Sequence, residues 1–308
     1  MSASMLPPLP YPEWQATKIT LHLWCQIVGK IALRSSALRN HWWNVTLKPT
    51  ARGVKTDLLH AGDTFFEIEL DFVEHRALVR TNGSHEPASF ALRDGLSVAA
   101  FETSLNAALA TFGIHVPIVG TPYGFPGQEI PFADDREHHA YDAVMVRRWW
   151  DVLVWTTAVF ERFASEFTGK QGPVQVFWHG FDLALGRYSG RRAAGPPKGD
   201  PVQREAYSHE VIAFGFWPGD ANQPAPAYYT YTAPEPADLT TAPLATRRRG
   251  LVSGRHRPHG RTTVRGRSHV GRSGSRAAGV LAQRLRRRRA HRALERRRFR
   301  ARRRTLGG

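Results

Sequence analysis

The basic residues of this chain are concentrated at its C-terminal end, and this limits where a hydrophobic core can form. Residues 246–308 contain 23 basic side chains, one acidic side chain and a single aromatic residue, Phe299. Residues 1–245 contain 20 basic and 25 acidic side chains and all nine Trp residues. A highly charged segment with few apolar side chains cannot bury enough surface to fold. We therefore expect an acidic folded body over residues 8–245 and an unstructured tail over 246–308.

The body falls into a Pro-rich segment at 1–11 and two similar parts, 12–140 and 141–245. Each part reads as a helix, a strand with aromatic and His residues, an Arg/Gly turn and further strands. The two aromatic strands are His41–Leu47 and Phe177–Leu183. This order predicts an α+β fold, an antiparallel sheet with packed helices, built from two similar α-β-β-β halves. A duplication would relate the halves by a pseudo-twofold axis, and chance similarity is the alternative.

The periodicity of apolar residues predicts the individual elements. Apolar side chains at a spacing of three and four residues indicate helices, and alternation indicates strands. The predicted helices cover residues 14–34, 98–112 and 141–168. The predicted strands include 40–47, 64–72, 76–81, 88–92, 114–119, 207–217 and 227–232. In the strand at 64–72 the acidic side chains alternate with apolar ones, which is typical of a strand with one solvated face.

Candidate functional residues are densest between Val174 and Arg191. We predict a strand with Trp178 and His179, followed by an exit turn from Arg187 to Arg191. His179 and Asp182 are spaced as a base and the acid that orients it. Residues three apart on a regular strand face opposite sides, so this pair requires a bulge between them.

A ligand cleft is the leading functional hypothesis. Aromatic walls with a few convergent polar groups are typical of small-molecule sites, and arginine suits a carboxylate or phosphate. The strand that starts at His209 is expected to return antiparallel beside the first, with His179 facing the cleft and Trp178 packed on the 141–168 helix. The predicted ligand-binding residues are His41, Trp42, Trp178, Arg187 and Arg191. The alternative is that the aromatic residues fill the sheet interface while Arg and His cap turns.

Catalytic and metal sites have weaker support. The candidate catalytic residues are His179, Asp182, His209 and Glu210. Two sets could hold a metal ion, namely His138, His139 and Asp142, or His179, His209 and Glu210. Neither set has the spacing of a known site, so we predict no metal site and leave the cofactor unknown.

The cellular context follows from what the sequence contains. A single cysteine, Cys25, excludes an internal disulfide framework and suits a reducing cytosol. The N-terminal region has no basic leader followed by an apolar stretch, and no run of eighteen apolar residues occurs. We therefore expect a cytoplasmic protein without a membrane partner.

Several segments together resemble a bacterial family of roughly three hundred residues that is catalogued only as a domain of unknown function. The resemblance covers about residues 8–245 and implies a shared fold, but it implies no activity, cofactor or catalytic residue. The segments that carry it include Leu21–Lys30, Asn40–Trp43, Thr50–Gly53, Asp71–Arg76, Phe181–Ala184, Arg187–Arg191 and Glu205–Val211.

The chain departs from this family at Arg247, where members continue with a strand and an acidic-apolar helix. Reading the codons of residues 275–286 one base later permits a sequence that resembles the missing helix, so a shifted reading frame is one explanation of the tail. A genuine polybasic tail that binds phosphates without sequence readout is another. Three functions follow. The first is a binding protein or enzyme for a small anionic ligand, the second a nucleic-acid-associated protein, and the third a structural or interaction protein.

Overall fold

The computed structural model describes residues 6–124, 129–193, 200–236, 251–256 and 261–266. The helices are α1 (Tyr11–Arg34), α2 (Val98–Ala110), α3 (Ala143–Ala164) and α4 (Pro201–Ala206). The strands are β1 (Lys48–Pro49), β2 (Gly53–Lys55), β3 (Leu59–Ala61), β4 (Thr64–Asp71), β5 (Arg76–Thr81), β6 (Ala88–Ala91), β7 (Gln175–Phe177), β8 (Asp182–Arg192), β9 (His209–Trp217), β10 (Ala227–Ala233), β11 (Leu251–His256) and β12 (Arg261–Gly266).

The three long helices confirm the predicted ones and begin at residues suited to that position. Pro12 lies in the first turn of α1, where its missing N–H costs no hydrogen bond. The Ser97 hydroxyl accepts a hydrogen bond from Ala100 N at the start of α2. The Asp142 carboxylate does the same for the first turn of α3. These caps satisfy backbone donors that have no partner inside the helix.

Two antiparallel sheets confirm the α+β prediction. One has six strands in the order β1-β2-β4-β5-β6 with β3 also paired to β4, and the other has the order β10-β9-β8-β7. Leu47 and Val176 exchange two backbone hydrogen bonds of 2.9 and 2.8 Å, which join the sheets through the start of β1 and β7. The duplication is not confirmed, because the two sheets differ in strand number and order.

Both parts of the body contribute to one buried core. Trp24 of α1 stacks on Phe101 of α2 with 5.0 Å between ring centroids. Trp149 of α3 stacks on Phe181 at 4.8 Å. Burying such rings supplies most of the stabilising free energy of a core. The boundary drawn at residue 140 remains a prediction.

Three predicted elements were wrong. Residues 40–42 form a 3-10 turn in which His41 and Trp42 have φ values of 59° and 61°, so no strand covers 40–47. Residues 114–119 form no strand, and Val119 is exposed. The chain does not turn between Arg187 and Arg191, because β8 continues to Arg192. The first error arose because α4 imposes the turn by contacts distant in sequence.

The acidic side of β4 is a row of cross-strand ion pairs, and two of its three carboxylates are buried rather than solvated. Opposite charges on neighbouring strands stabilise a sheet where like charges would destabilise it. The three pairs are Lys55–Glu67 (2.7 Å), Arg80–Glu69 (2.6 Å) and Arg52–Asp71 (2.5 Å).

In the Arg-rich tail the structure describes only β11 and β12, which pair with each other in antiparallel register. The remainder of 246–308 lies outside the described residues, so its predicted lack of structure stays a prediction. Within the described parts of the chain, no helix combines the length and apolar character needed to cross a bilayer.

Candidate functional site

A cavity of about 800 Å³ lies between α1 and one face of the β7–β10 sheet. The central strands are small at this face, where Ala184 and Gly186 of β8 lie opposite Gly215 and Ala213 of β9. Side chains alternate between the faces of a strand, so these positions leave the floor of the cavity open. A Cβ at Gly215 would come within 2.1 Å of the Tyr229 ring. The Tyr229 ring of β10 can therefore lie over the floor of the cavity because Gly215 has no side chain there.

Aromatic side chains form the walls. Tyr229 and Tyr231 of β10 stack with 5.9 Å between ring centroids. The hydroxyls of Tyr207 and Tyr231 are 2.9 Å apart and share a hydrogen bond. Trp42 and Trp217 also line the cavity. The walls thus combine flat apolar surface with hydroxyl groups, which suits a ligand with both a ring and polar atoms.

One face of α1 closes the cavity, with Tyr11, Gln15, Lys18, Ile19 and His22 at helical spacing. Lys18 is only 7% exposed, and its Nζ lies 5.3 and 5.2 Å from the Tyr11 and Trp217 ring centroids. Burial lowers the pKa of Lys18 to about 8, and the nearby Asp220 carboxylate opposes this shift. Within the described residues no hydrogen bond or ion pair reaches Lys18 Nζ.

Burial favours the neutral form of two histidines at the cavity, His22 and His179. His22 Nε2 donates to the Trp178 carbonyl at 2.5 Å, and its ring stacks on Phe181. His179 stacks on the Trp178 indole and meets Tyr123 edge-on. Burial lowers the pKa of each histidine to about 3. Both imidazoles therefore offer hydrogen bonds rather than positive charge to a ligand.

Asp182 is the first residue of β8 and lines the cavity. The Tyr229 hydroxyl donates a short hydrogen bond to its Oδ2. Burial raises the pKa of Asp182 to about 6, and the Tyr229 bond opposes the shift. The predicted pairing of His179 with Asp182 is not formed among the described residues. Gly180 is part of a hairpin turn, in which Phe181 N donates to Phe177 O at 2.8 Å, and is not a strand bulge.

The strained turn at His41 and Trp42 forms the rim of the cavity and is held by α4. His41 N donates to Glu205 Oε1 at 2.9 Å, and Trp42 Nε1 donates to Val202 O at 2.9 Å. Lys170 Nζ donates to His41 Nε2 at 2.8 Å. Burial and this ammonium group lower the pKa of His41 to about 4. Backbone strain of this kind persists where surrounding contacts enforce it.

The two predicted arginines do not reach the cavity. Arg187 points to the opposite face of β8, with its guanidinium 3.6 Å from the Phe163 ring centroid. It donates to Phe163 O at 2.5 Å and to Gln171 Oε1 at 3.0 Å. Arg191 is exposed and forms a 3.0 Å ion pair with Glu210. Strand alternation accounts for Arg187, since the even-numbered residues from Asp182 to Tyr188 face the cavity.

Trp178 and His209 also lie outside the cavity lining. Trp178 is buried against Gly29 of α1, and its predicted packing on the 141–168 helix stays a prediction. His209 starts β9, which is antiparallel to β8 as predicted. Its ring meets His41 edge-on at 5.4 Å. The structure therefore places His41, Trp42, His179 and Asp182 in the cavity lining, whereas Trp178, Arg187 and Arg191 lie outside it.

Sequence reasoning missed Lys18 and the tyrosines of β10. The signal for Lys18 was its position on the apolar stripe of α1, between Trp14 and Leu21, where a charged residue is unusual. The signal for the floor was the alternation of small with large side chains in β8 and β9. Small residues repeated on one face of two paired strands predict open space above that face.

The two sets of residues considered as metal ligands do not come together among the described residues, where no group of three His, Cys, Asp or Glu side chains could hold a metal ion. His138 Nδ1 instead bonds the buried Asp135 carboxylate at 2.8 Å.

Comparison with known proteins gives a family assignment. A model described as a family of unknown function (DUF5996) matches residues 6–249. This agrees with the resemblance seen over residues 8–245. No curated protein and no solved structure matches the chain.

Proposed function

The chain belongs to this family of unknown function, and we propose that it binds a small organic molecule with one anionic group in the cavity between α1 and the β7–β10 sheet. The observation that carries the proposal is the buried Lys18 ammonium at the cavity wall, which contacts the Tyr11 and Trp217 rings but has no hydrogen bond or ion pair among the described residues. Burying a charge without a partner is costly. A bound carboxylate or phosphate would offset that cost by a charge-assisted hydrogen bond.

The size and chemistry of the cavity support a small organic ligand. Its volume of about 800 Å³ lies within the range of small-molecule sites, roughly 300–1,000 Å³. The tyrosine and tryptophan rings supply apolar contact for a flat group. Tyr207, His22 and Asp182 supply polar atoms around it.

The charges at the described lining favour a single anionic group. Lys18 is its only lysine or arginine, and Asp182 and Asp220 are its acids. Arg187 and Arg191, on which the sequence-based hypothesis placed the anion, lie elsewhere. We therefore assign anion recognition to Lys18. Asp182, whose pKa is raised to about 6, is the candidate acid or base if the protein is an enzyme.

The test is a thermal-shift screen of carboxylates and phosphates, each paired with a neutral amide or alcohol of the same shape. Lys30→Met is the matched control for Lys18→Met. Lys30 is also buried on α1, and its Nζ lies 5.7 Å from the Phe132 ring centroid, but it does not line the cavity. We expect an anion to raise the Tm of wild type and of Lys30→Met, and not of Lys18→Met. Equal stabilisation of all three proteins would remove Lys18 from the site.

Two properties of the whole chain stay predictions from the sequence. We propose a cytoplasmic location because the one cysteine, Cys25, is a buried thiol. We also propose that the Arg-rich tail binds polyanions without sequence readout. Deleting residues 250–308 leaves the region that the family model matches. Salt-sensitive binding to a DNA duplex should be lost in this variant, while its response to a cavity ligand is kept.

A further inference from the structure

Lys18 differs from the other described lysines in combining two properties. It has no hydrogen bond or ion pair among the described residues, and it borders a cavity large enough for a ligand. Lys48, Lys55 and Lys170 contact Asp57, Glu67 and His41 at 3.7, 2.7 and 2.8 Å. Lys18 and Lys30 have no hydrogen bond or ion pair among the described residues. Only Lys18 of the five borders the cavity.

The surroundings of Lys18 raise the fraction of its neutral amine above that of an exposed lysine, although the ammonium form still predominates at pH 7. Burial against the Tyr11 and Trp217 rings disfavours the ammonium form, and the His22 ring on the same helix is neutral. The charged group that faces Lys18 is Asp220 from the loop after β9. With a pKa of about 8, roughly a tenth of Lys18 is neutral at pH 7, whereas an ordinary lysine is neutral in fewer than about one molecule in a thousand. A desolvated lysine of this kind is the usual nucleophile toward carbonyl groups.

We infer that the cavity takes an aromatic 2-oxo acid, and that Lys18 Nζ forms an imine with its keto group. This inference rests on the proposed binding function. A 2-oxo acid combines the anionic group of the proposed ligand with a carbonyl group that an amine can attack, and Lys18 is the one lysine of the described lining. The carboxylate of the ligand is attracted to the ammonium form of Lys18, and the keto carbon is bonded directly to the carboxylate carbon. The carboxylate therefore brings the keto carbon close to Nζ. The aromatic walls then accommodate the ring of the ligand.

The reaction is a condensation without oxidation or reduction. The ammonium group loses one proton to solvent, and the Nζ lone pair attacks the carbonyl carbon. The carbonyl oxygen takes up a proton and the nitrogen loses one, which gives a carbinolamine. The hydroxyl group then takes up a proton and leaves as water while the nitrogen lone pair forms the C=N bond, and the nitrogen releases its remaining hydrogen as a proton. Protonation of the imine nitrogen restores a positive charge at this position, beside the ligand carboxylate.

The experiment uses phenylpyruvate as the probe and 3-phenyllactate as its control, because the two share the ring and the carboxylate but only the first has a keto group. The full-length protein is incubated with phenylpyruvate at pH 7.5 and treated with sodium borohydride, which reduces an imine to a stable amine. Peptide mass mapping then gives the adduct at each lysine. We expect at least about tenfold more adduct at Lys18 than at Lys30 or Lys55, because only Lys18 of the three borders the cavity that binds the probe.

Two variants complete the design. Lys30→Met should leave the Lys18 adduct unchanged. Lys18→Met should remove the excess adduct without creating one elsewhere, and circular dichroism establishes that it is folded. An adduct spread over the lysines in proportion to their exposure would overturn the inference.

The two proposals fail differently. If 3-phenyllactate and phenylpyruvate both raise the Tm of wild type but not of Lys18→Met, and no excess adduct forms, the anion site stands and the imine is wrong. If the adduct forms at Lys18 but 3-phenyllactate has no effect on Tm, the imine stands and anion anchoring by Lys18 is wrong. If neither compound raises Tm and no excess adduct forms, the 2-oxo acid inference is wrong.

Discussion

The Trp178 indole lies directly on Gly29 of α1. A Cβ at residue 29 would come within 2.1 Å of the ring, which is far inside van der Waals contact. The His179 imidazole also stacks on the indole, with 3.8 Å between the ring centroids. The ring is therefore fixed between the helix and the cavity wall, and it positions His179 without itself touching the cavity.

Gly29→Ala should destabilise the protein by about 1–3 kcal/mol, because the added methyl group overpacks this contact. This value is the net effect, because the better helix propensity of alanine offsets up to about 1 kcal/mol of the steric cost. Urea unfolding measures the change. Gly120→Ala is the control, since a Cβ there meets no atom within 4 Å. Equal stability of the two variants would contradict the close contact.

Lys18→Met should stabilise the ligand-free protein near neutral pH. The pKa of Lys18 is lower in the folded protein than in the unfolded chain, so the unfolded state binds more protons between about pH 8 and 10.5. Wild-type stability should therefore gain about 1–2 kcal/mol from this group between pH 7 and 9.5. The advantage of Lys18→Met should shrink by the same amount. Urea unfolding of both proteins at the two pH values measures it, and a constant difference would show that Lys18 is not desolvated.

Asp182→Asn should show the opposite pH dependence. The folded pKa of about 6 lies above the unfolded value of 3.8, so the folded state binds more protons between these values. Wild-type stability should fall as pH rises through this window. Asparagine keeps an acceptor for Tyr229 and has no charge, so the variant should be about 2–3 kcal/mol more stable than wild type at pH 7.5 and nearly equal at pH 4.

Tyr229→Phe extends this test. Loss of the hydroxyl removes the hydrogen bond that opposes the shift, so the Asp182 pKa should rise further. Carboxyl-selective NMR titration would follow it, and an unchanged value would contradict the Tyr229–Asp182 bond.

Arg187→Met should destabilise the protein by about 1–3 kcal/mol without changing ligand response, because its hydrogen bonds and its packing on Phe163 are structural. Arg191→Ala should have no measurable effect, since its side chain is 78% exposed. Chemical denaturation and ligand thermal shift measure both. Loss of ligand stabilisation in Arg187→Met at full stability would return this residue to the site.

Local patterns predicted most of the helices and strands. The stripe of α1, the alternation in β4 and the capping residues Ser97 and Asp142 are each decided within one element, so the sequence could reveal them. The turn at His41 could not be predicted in the same way. His41 adopts a left-handed conformation because Glu205, 164 residues later, accepts its backbone N–H.

The same contrast between local patterns and contacts distant in sequence explains why only some residues of the candidate site were predicted. The cavity lining includes four of the residues that the sequence singled out, namely His41, Trp42, His179 and Asp182. The sequence-based prediction had placed them on strands. Arg187 was placed in the cleft because a turn was predicted at this position. It is instead part of β8, and strand alternation directs its side chain to Phe163 of α3. Lys18 was overlooked because its charge was judged within its helix, whereas its environment is made by Trp217 and Asp220, about two hundred residues away.

The contact between α1 and the β7–β8 hairpin also sets the order of events during synthesis. Trp178 is made 144 residues after the last residue of α1. At roughly 5–20 residues per second, the ribosome takes about 7–29 s to add these residues. Throughout that time the apolar stripe of the nascent α1 lacks its final partner. The surface of α1 around Gly29 therefore stays uncovered by Trp178 until the hairpin leaves the ribosome.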